Sequence, residues 1–273
     1  MIDFNEYICN GEPGKQEKAS AWKTAIGLQS VAGLLPSEYL QDTLVKHIEG
    51  DISIDEVKAL IDEYYQSKTV RTPHDKDTEE ADKVSVNITQ ILNEKSFTYS
   101  VTGFTSIHRR LFEGIFKSAG KIRDYDITKK EWVLRGDTVL YVNTEDLHKA
   151  IEYDLEQEKN FSYKGLSWDE ITEHIAKFVS NLWQKYPFGE GNTRTMAVFI
   201  IKYLRSIGFD VKNELFAEHS WYFRNALVRA NYRNVHKNIE PDMSFLILFL
   251  RNLMMGEHNE LRNRYMVVNL PSK

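Results

Sequence analysis

Residues Tyr186-Pro187-Phe188-Gly189-Glu190-Gly191-Asn192-Thr193-Arg194 bring together the residue types that hold a phosphate. Gly189 and Gly191 permit backbone conformations closed to other residues. Helical periodicity runs through residues 171–185 before this turn and 193–206 after it. The turn therefore opens onto a helix start, with unpaired N–H groups and the positive end of the dipole. Such a turn wraps an anion, and phosphate is the usual guest. Asn192 offers a side-chain donor and Arg194 a guanidinium able to pair bidentately. Glu190 sets a carboxylate beside the expected phosphate, with Mg²⁺ the natural bridge. The same composition also makes an ordinary connector between helices, and residue chemistry alone leaves both readings open.

The elements that must position this turn are mainly helical. Residues 19–29 carry Trp22, Ala25, Ile26 and Gln29 at helical spacing, until Gly33 and Pro36 break the pattern. A second helix spans 37–48 and stops at Gly50; Ser53-Ile54-Asp55-Glu56 reads as a capping box opening a third, to about 65. Residues 1–66 thus form a small helical unit, 67–83 a polar linker whose second half runs toward a helix, and 84–273 a larger helical unit. Residues 105–117 are amphipathic, with Ile107, Leu111, Phe112 and Ile115 on one face. Segments 127–134 and 138–142, rich in β-branched and aromatic residues around Arg135-Gly136-Asp137, predict a β-hairpin that must lean on helices. Thr144 caps a helix to about 155, Ser167-Trp168-Asp169-Glu170 is a second capping box, and two helices near 216–233 and 242–256 complete the chain. The expected fold class is all-α with one β-hairpin.

Composition narrows the function. The chain has 273 residues, 42% of them hydrophobic, and a net charge of -5. That balance gives no help toward nucleic acid or anionic lipid, and the basic cluster His108-Arg109-Arg110 is short. The single cysteine, Cys9, allows no disulfide within the chain and no cysteine-based metal site, which fits a reducing cytoplasm. The first residues carry no signal-peptide pattern. The most apolar run, 245–255, is interrupted by Arg251 and too short for the ~20 residues a membrane span needs. It reads as a core helix and as an available interface for a homo-oligomer. The histidines show no metal-ligand spacing. Trp221-Tyr222-Phe223 reads either as a nucleotide platform or as core, and Lys129-Lys130 either as steering charge or as exposed edge.

The turn at 186–194 resembles the signature of the Fic family, His-x-Phe-x-(Asp/Glu)-Gly-Asn-(Gly)-Arg-x-x-Arg. Three further blocks follow the family's order: Ile107-His108-Arg109-Arg110-Leu111-Phe112 with Ala119-Gly120-Lys121-Ile122-Arg123, the hairpin "flap", and Ala226-Leu227-Val228-Arg229-Ala230-Asn231. The resemblance covers about residues 85 to 255. It implies a Fic-type fold and transfer of AMP from ATP to a Ser, Thr or Tyr hydroxyl of a target protein, self-modification included. It also implies roles. Glu190 binds Mg²⁺. Gly189, Gly191, Asn192, Thr193 and Arg194 hold the phosphates, and Phe188 anchors the loop. Phe223 and Asn231 lie near the nucleoside. Gly136, Asp137, Thr138 and Val139 belong to the flap, where the target docks by strand addition.

This sequence departs from the family pattern in three places. Tyr186 occupies the place of the histidine that serves as general base. An imidazole accepts a proton near neutral pH, whereas a phenol is already protonated there. Ala197 replaces the second arginine. The N-terminal unit resembles the family's inhibitory helix, but Ala32 stands at its glutamate and Leu28 at its Ser/Thr position, and a merely structural helix accounts for these residues equally well. The loss of both partners of one ion pair is consistent, because a lone buried charge is costly. The resulting expectation is a protein adenylyltransferase that is weak or inactive in this form. The alternatives are a non-catalytic nucleotide-binding regulator and transfer of another phosphate-linked group.

Overall fold

Polar side chains set most of the helix starts. Ser53 with Glu56, Thr72 with Asp75, and Ser167 with Glu170 each exchange side-chain and backbone bonds across a capping box, satisfying N–H groups that no helix closes. The computed structural model describes residues 2–268. Its N-terminal part comprises α1 Phe4–Asn10, α2 Pro13–Gly27, a 3-10 turn Leu28–Ala32, α3 Glu38–Glu49 and α4 Ile54–Gln66. Next come α5 Pro73–Asn93 and α6 Val101–Phe112, then an irregular stretch holding a 3-10 turn, Trp132–Leu134. The chain continues through α7 Thr144–Lys159, α8 Trp168–Gln184, α9 Asn192–Ser206, α10 Leu215–Asn231 and α11 Ser244–Met255. No helix among the described residues is long and apolar enough to cross a membrane.

Two apolar cores result. The larger surrounds α9, which is buried on all sides, and gathers α5, α6, α8, α10 and α11 about it. The smaller joins Trp22 of α2, Leu40, Leu44 and Ile48 of α3, and Val57, Ile61 and Tyr65 of α4. Helix α5 contributes to both, with Val86 in the smaller core and Val84 and Ile88 in the larger. The polar stretch expected to link two units is therefore helical from Pro73 onward.

The N-terminal helices dock through polar contacts that fix their register. Asp82 of α5 is fully buried. It accepts the Ser37 N–H at 2.8 Å, the Ser37 hydroxyl at 2.5 Å and the Tyr65 hydroxyl at 2.7 Å. At the other end, the Ser220 hydroxyl of α10 donates to the Gly27 carbonyl at 3.0 Å and lies 2.6 Å from the Ser30 hydroxyl. The 3-10 turn is thereby laid against the start of α10.

The expected β-hairpin is not what residues 127–142 form. Among the described residues no ladder joins the two limbs, and the single β-bridge lies elsewhere, between Asn234 and Ile239. The Glu131 N–H reaches the Asp137 carbonyl at 2.9 Å. The chain then coils into the 3-10 turn so that Val133 and Leu134 enter the larger core. Tertiary partners also claim polar groups of this stretch. The Val268 N–H donates to the Val133 carbonyl at 2.9 Å, and the Gln184 amide to the Leu140 carbonyl at 3.0 Å. Alternating β-branched residues predicted a strand pair; burial of two consecutive side chains broke the alternation.

Removing the Asp82 carboxylate leaves the Ser37 and Tyr65 donors without their buried acceptor. Asp82→Ala is expected to lower unfolding free energy by about 3 kcal/mol, read as a shifted denaturant midpoint. A midpoint within error of the parent would contradict that assignment.

Candidate active site

The turn after α8 begins with a backbone strain. Tyr186 adopts φ 46°, a left-handed conformation that costs a bulky residue roughly 1–3 kcal/mol. Its carbonyl accepts the Arg123 Nε–H at 2.9 Å, and its ring packs on Tyr141 at 4.4 Å and edge-on to Trp183. The buried Arg123 guanidinium also donates to the carbonyls of Tyr125, Val142 and Lys185. One side chain thus joins both ends of the irregular stretch to the base of the turn. Burial pushes its pKa below the ordinary arginine value, with Asp126 opposing.

The next residues close the turn from within. Phe188 is fully buried and stacks on His108 of α6 at 3.7 Å. Asn192 accepts the Phe188 N–H at 3.0 Å and donates to the Phe188 carbonyl at 2.6 Å. Its amide braces the loop, and is already engaged rather than pointing free to a ligand. His108 accepts the Gly120 N–H on Nδ1 at 2.8 Å, which leaves Nε2–H to donate to the Glu190 carbonyl at 3.1 Å. Burial drives the His108 pKa down from 6.5 to about 4, the Glu190 carbonyl opposing. The neutral imidazole is thus the form the fold holds. Gly191 has φ 75°, and a Cβ there would lie 2.4 Å from the Phe112 ring. Gly189 keeps an ordinary φ. A Cβ there would meet only the hydroxyl end of the half-exposed Tyr125 side chain, which can move aside.

Helix α9 starts with no side-chain cap, and its first N–H to find a carbonyl is that of Thr195, on Gly191 at 3.0 Å. The residues of this start, Gly191 to Arg194, line a cavity of about 260 Å³. Tyr186, Glu190 and Arg194 border it, and Lys129, Lys130, Glu131, Trp132, Trp221 and Arg224 close it from the irregular stretch and from α10. Its lining has four cationic side chains against two carboxylates. An excess of positive charge over an uncapped helix start suits an anion. A larger cavity of about 630 Å³ lies behind the α2–α9 junction. Lys95, Lys202, Arg205 and Lys212 are balanced there by Glu17, Glu94, Asp210 and Glu214, so it has no such bias.

Both charged residues expected to meet the phosphate and metal have partners within the chain. Arg194 is buried under the Phe112 ring and donates to Gln29 at 2.9 Å and to Glu80 at 2.6 Å. Glu190 is exposed and pairs with Lys129 at 3.0 Å. Among the described residues no three His, Cys, Asp or Glu side chains converge on a metal position.

Several expected site residues lie elsewhere. Phe223 is fully buried between Phe216 and Phe249. Asn231 spends its amide on the Leu227 and Ser180 carbonyls. Neither lines the cavity, because α10 presents Trp221 and Arg224, three residues apart, to that side. Gly136, Asp137, Thr138 and Val139 also lie off the cavity: Asp137 accepts from Tyr232, Asn234 and Lys237, and Val139 is core. The limb before that turn supplies the lining instead. Arg224 and Glu131 were missed because nothing in the sequence pairs them. Arg224 donates from Nη2 to both Glu131 oxygens, at 2.8 and 3.0 Å. Burial works against the Arg224 charge, but Glu131 and Tyr186 outweigh it and raise its pKa. The basic cluster at 108–110 is no patch, since His108 is buried and Arg110 pairs with Glu94.

Residues 98–204 match the Fic/DOC family. This segment is similar to a Fic domain. Over 105 residues, 38% of this chain, it is 30% identical to the protein adenylyltransferase VbhT of Bartonella schoenbuchensis, and spans 21% of that protein's length. The N-terminal FIC domain of the Bep8 protein from Bartonella sp. 1-1C superposes with a TM-score of 0.50 at 19% identity, over 68% of this chain and 88% of that one. The N-terminal Fic domain of a Bartonella effector protein from Bartonella sp. AR 15-3 gives 0.52 at 17% identity, over 68% and 84%. These two likenesses are of fold. The matched family segment covers α6 through most of α9; the N-terminal helices lie outside it.

The His108 pKa lies below the ~6.5 of an unfolded histidine, so between these values the unfolded chain binds the extra proton. Stability from this group is complete above pH 6.5 and is lost as pH falls toward 4. His47, whose Nδ1 accepts the Trp22 indole N–H, is lowered to about 4 by burial and by Lys18, and behaves alike. Lowering pH from 7 to 5 is expected to remove about 2 kcal/mol for each histidine. Denaturant unfolding at both pH values, with His108→Asn losing its own share of the pH dependence, checks this. An unaltered dependence in that variant refutes it.

Proposed function

We propose that this chain binds ATP on the turn at 188–194 and is built as a protein adenylyltransferase, with transfer weak or absent in this form because Tyr186 stands at the base position. The observation that carries the reading is an uncapped helix start beneath a cation-rich cavity, within the segment similar to a Fic domain. In the reaction, a target hydroxyl oxygen attacks the α-phosphorus, the α–β phosphoanhydride bond breaks, and pyrophosphate leaves. The hydroxyl proton must go to a base. A phenol is a poor acceptor at neutral pH, and general-base assistance contributes roughly 10²–10⁴-fold.

The N–H groups opening α9 and the Arg194 guanidinium would hold phosphate oxygens. Glu190, the exposed carboxylate of the cavity, would have to leave Lys129 to hold a Mg²⁺ whose other ligands are phosphate oxygens and water. When bound, that ion neutralises charge on the phosphate chain. The limb at 127–130 forms no ladder with 138–142, and its open backbone favours a target segment added as a strand.

A second reading is a nucleotide-binding regulator without transfer. It is favoured by Tyr186 together with the internal ion pair on Arg194. Gln29 of the N-terminal 3-10 turn and Glu80 of α5 occupy the guanidinium edges a phosphate needs. The N-terminal unit thus acts on the first arginine through an amide, with the uncharged Ala32 at the cavity wall.

AMP incorporation from α-labelled ATP with Mg²⁺ separates the readings. Tyr186→His is expected to raise labelling of itself or of lysate proteins by at least tenfold, the low end of general-base assistance. Equal labelling in both forms overturns the base argument, and no label with nucleotide still bound favours the regulator. Glu80→Gln frees Arg194 from its carboxylate. It is expected to tighten ATP binding about fivefold, or ~1 kcal/mol, by calorimetric titration. Unchanged or weaker binding contradicts competition at Arg194.

A further inference from the structure

We propose that Arg224 is a second phosphate-binding cation of this site, delivered by α10 in place of the arginine that α9 lacks, and that Glu131 positions it. The inference rests on ATP binding at the turn. Ala197 occupies the signature position of that missing arginine and is fully buried in the larger core. No cation reaches the cavity from that point of α9. Arg224 enters from the opposite wall.

The geometry of its guanidinium sets its role apart from a plain structural pair. Both hydrogen bonds to Glu131 come from one nitrogen, Nη2. The Nη1 edge makes a 3.5 Å contact with the Thr193 hydroxyl, in the first turn of α9, and the Tyr186 phenol also bears on the guanidinium. A guanidinium carries five N–H donors in a fixed plane. Anchoring at one nitrogen therefore orients the remaining edge toward the uncapped start of the helix. Glu131 is 2% exposed, while the Arg224 side chain keeps 16% of its surface open. The carboxylate is the sealed anchor and the cation the open tip. Arg194 differs in kind, since its two terminal nitrogens are held by Gln29 and Glu80 and it lies buried. Arg224 is thus the cation already turned to the phosphate chain, whereas Arg194 must first exchange partners.

A phosphate-contacting role predicts an effect that grows with the number of phosphates; a structural pair predicts a uniform one. The measurement is binding of ATP, ADP, AMP and inorganic tripolyphosphate to the full chain with Mg²⁺. Parent, Arg194→Gln, Arg224→Lys and the double variant Arg224→Gln/Glu131→Gln are compared, with folding checked by thermal unfolding. The double variant leaves no lone buried charge, and so keeps the test usable if Arg224→Gln alone is unstable. The double variant is expected to weaken ATP and tripolyphosphate at least tenfold and AMP less than threefold, with Arg224→Lys between parent and double variant. Equal ATP affinity in parent and folded double variant, while Arg194→Gln loses binding, overturns the role of Arg224 and leaves nucleotide binding standing. A parent that binds neither ATP nor tripolyphosphate overturns both.

Discussion

Arg123 carries a charge to a place where mainly carbonyl oxygens meet it. Its donors engage Tyr186, Tyr125, Val142 and Lys185, and its own N–H reaches the Pro187 carbonyl at 2.8 Å. The base of the turn and both limbs of the irregular stretch are thereby held around one side chain. Charge-assisted bonds of this kind are roughly twice as strong as neutral ones. They offset the left-handed backbone at Tyr186, and without that backbone the turn would not swing toward α9. His108 performs the matching task on the other side, receiving Gly120 and holding the Glu190 carbonyl. The loop is thus set by groups that face away from the cavity.

Around the cavity, charged side chains already meet each other. Arg194 with Glu80, Glu190 with Lys129 and Arg224 with Glu131 form three pairs along its walls. The three pairs differ in burial, and so in strength. The Lys129–Glu190 pair is exposed and weak. The Arg194–Glu80 pair is buried on the arginine side, so separation leaves desolvated charge unless phosphate replaces it at once. Of the three arginine and lysine groups, Arg194 is the one held at both terminal nitrogens, while Arg224 meets its carboxylate from one. The 3-10 turn that follows α2 and helix α5 reach Arg194 directly, through Gln29 and Glu80.

The capping boxes, the amphipathic helices and the glycine turn between α8 and α9 were legible because each depends on residues close in sequence. Ser167 with Glu170, or Gly191 beside Asn192, needs no distant partner to show its character. The resemblance at 186–194 likewise rested on contiguous residues. The hairpin was misread for a related reason: residues 127–142 have the local composition of strands, while their backbone partners and the burial of Val133 and Leu134 come from elsewhere in the chain.

The sequence by itself determined that a glycine-flanked helix start lies at 191–194, with the phenol of Tyr186 before it and the small Ala197 one turn into the helix. Tertiary structure alone decided which side chains surround that start. It turned Phe223 and Asn231 away and brought Trp221 and Arg224 in, because the face of α10 that meets the core is chosen by Phe216 and Phe249. It tied Arg194 to Glu80 across 114 positions and Arg224 to Glu131 across 93. Charges so far apart in the chain acquire a relationship only when packing sets their distance, and the strength of a charge pair depends on that distance and on its burial.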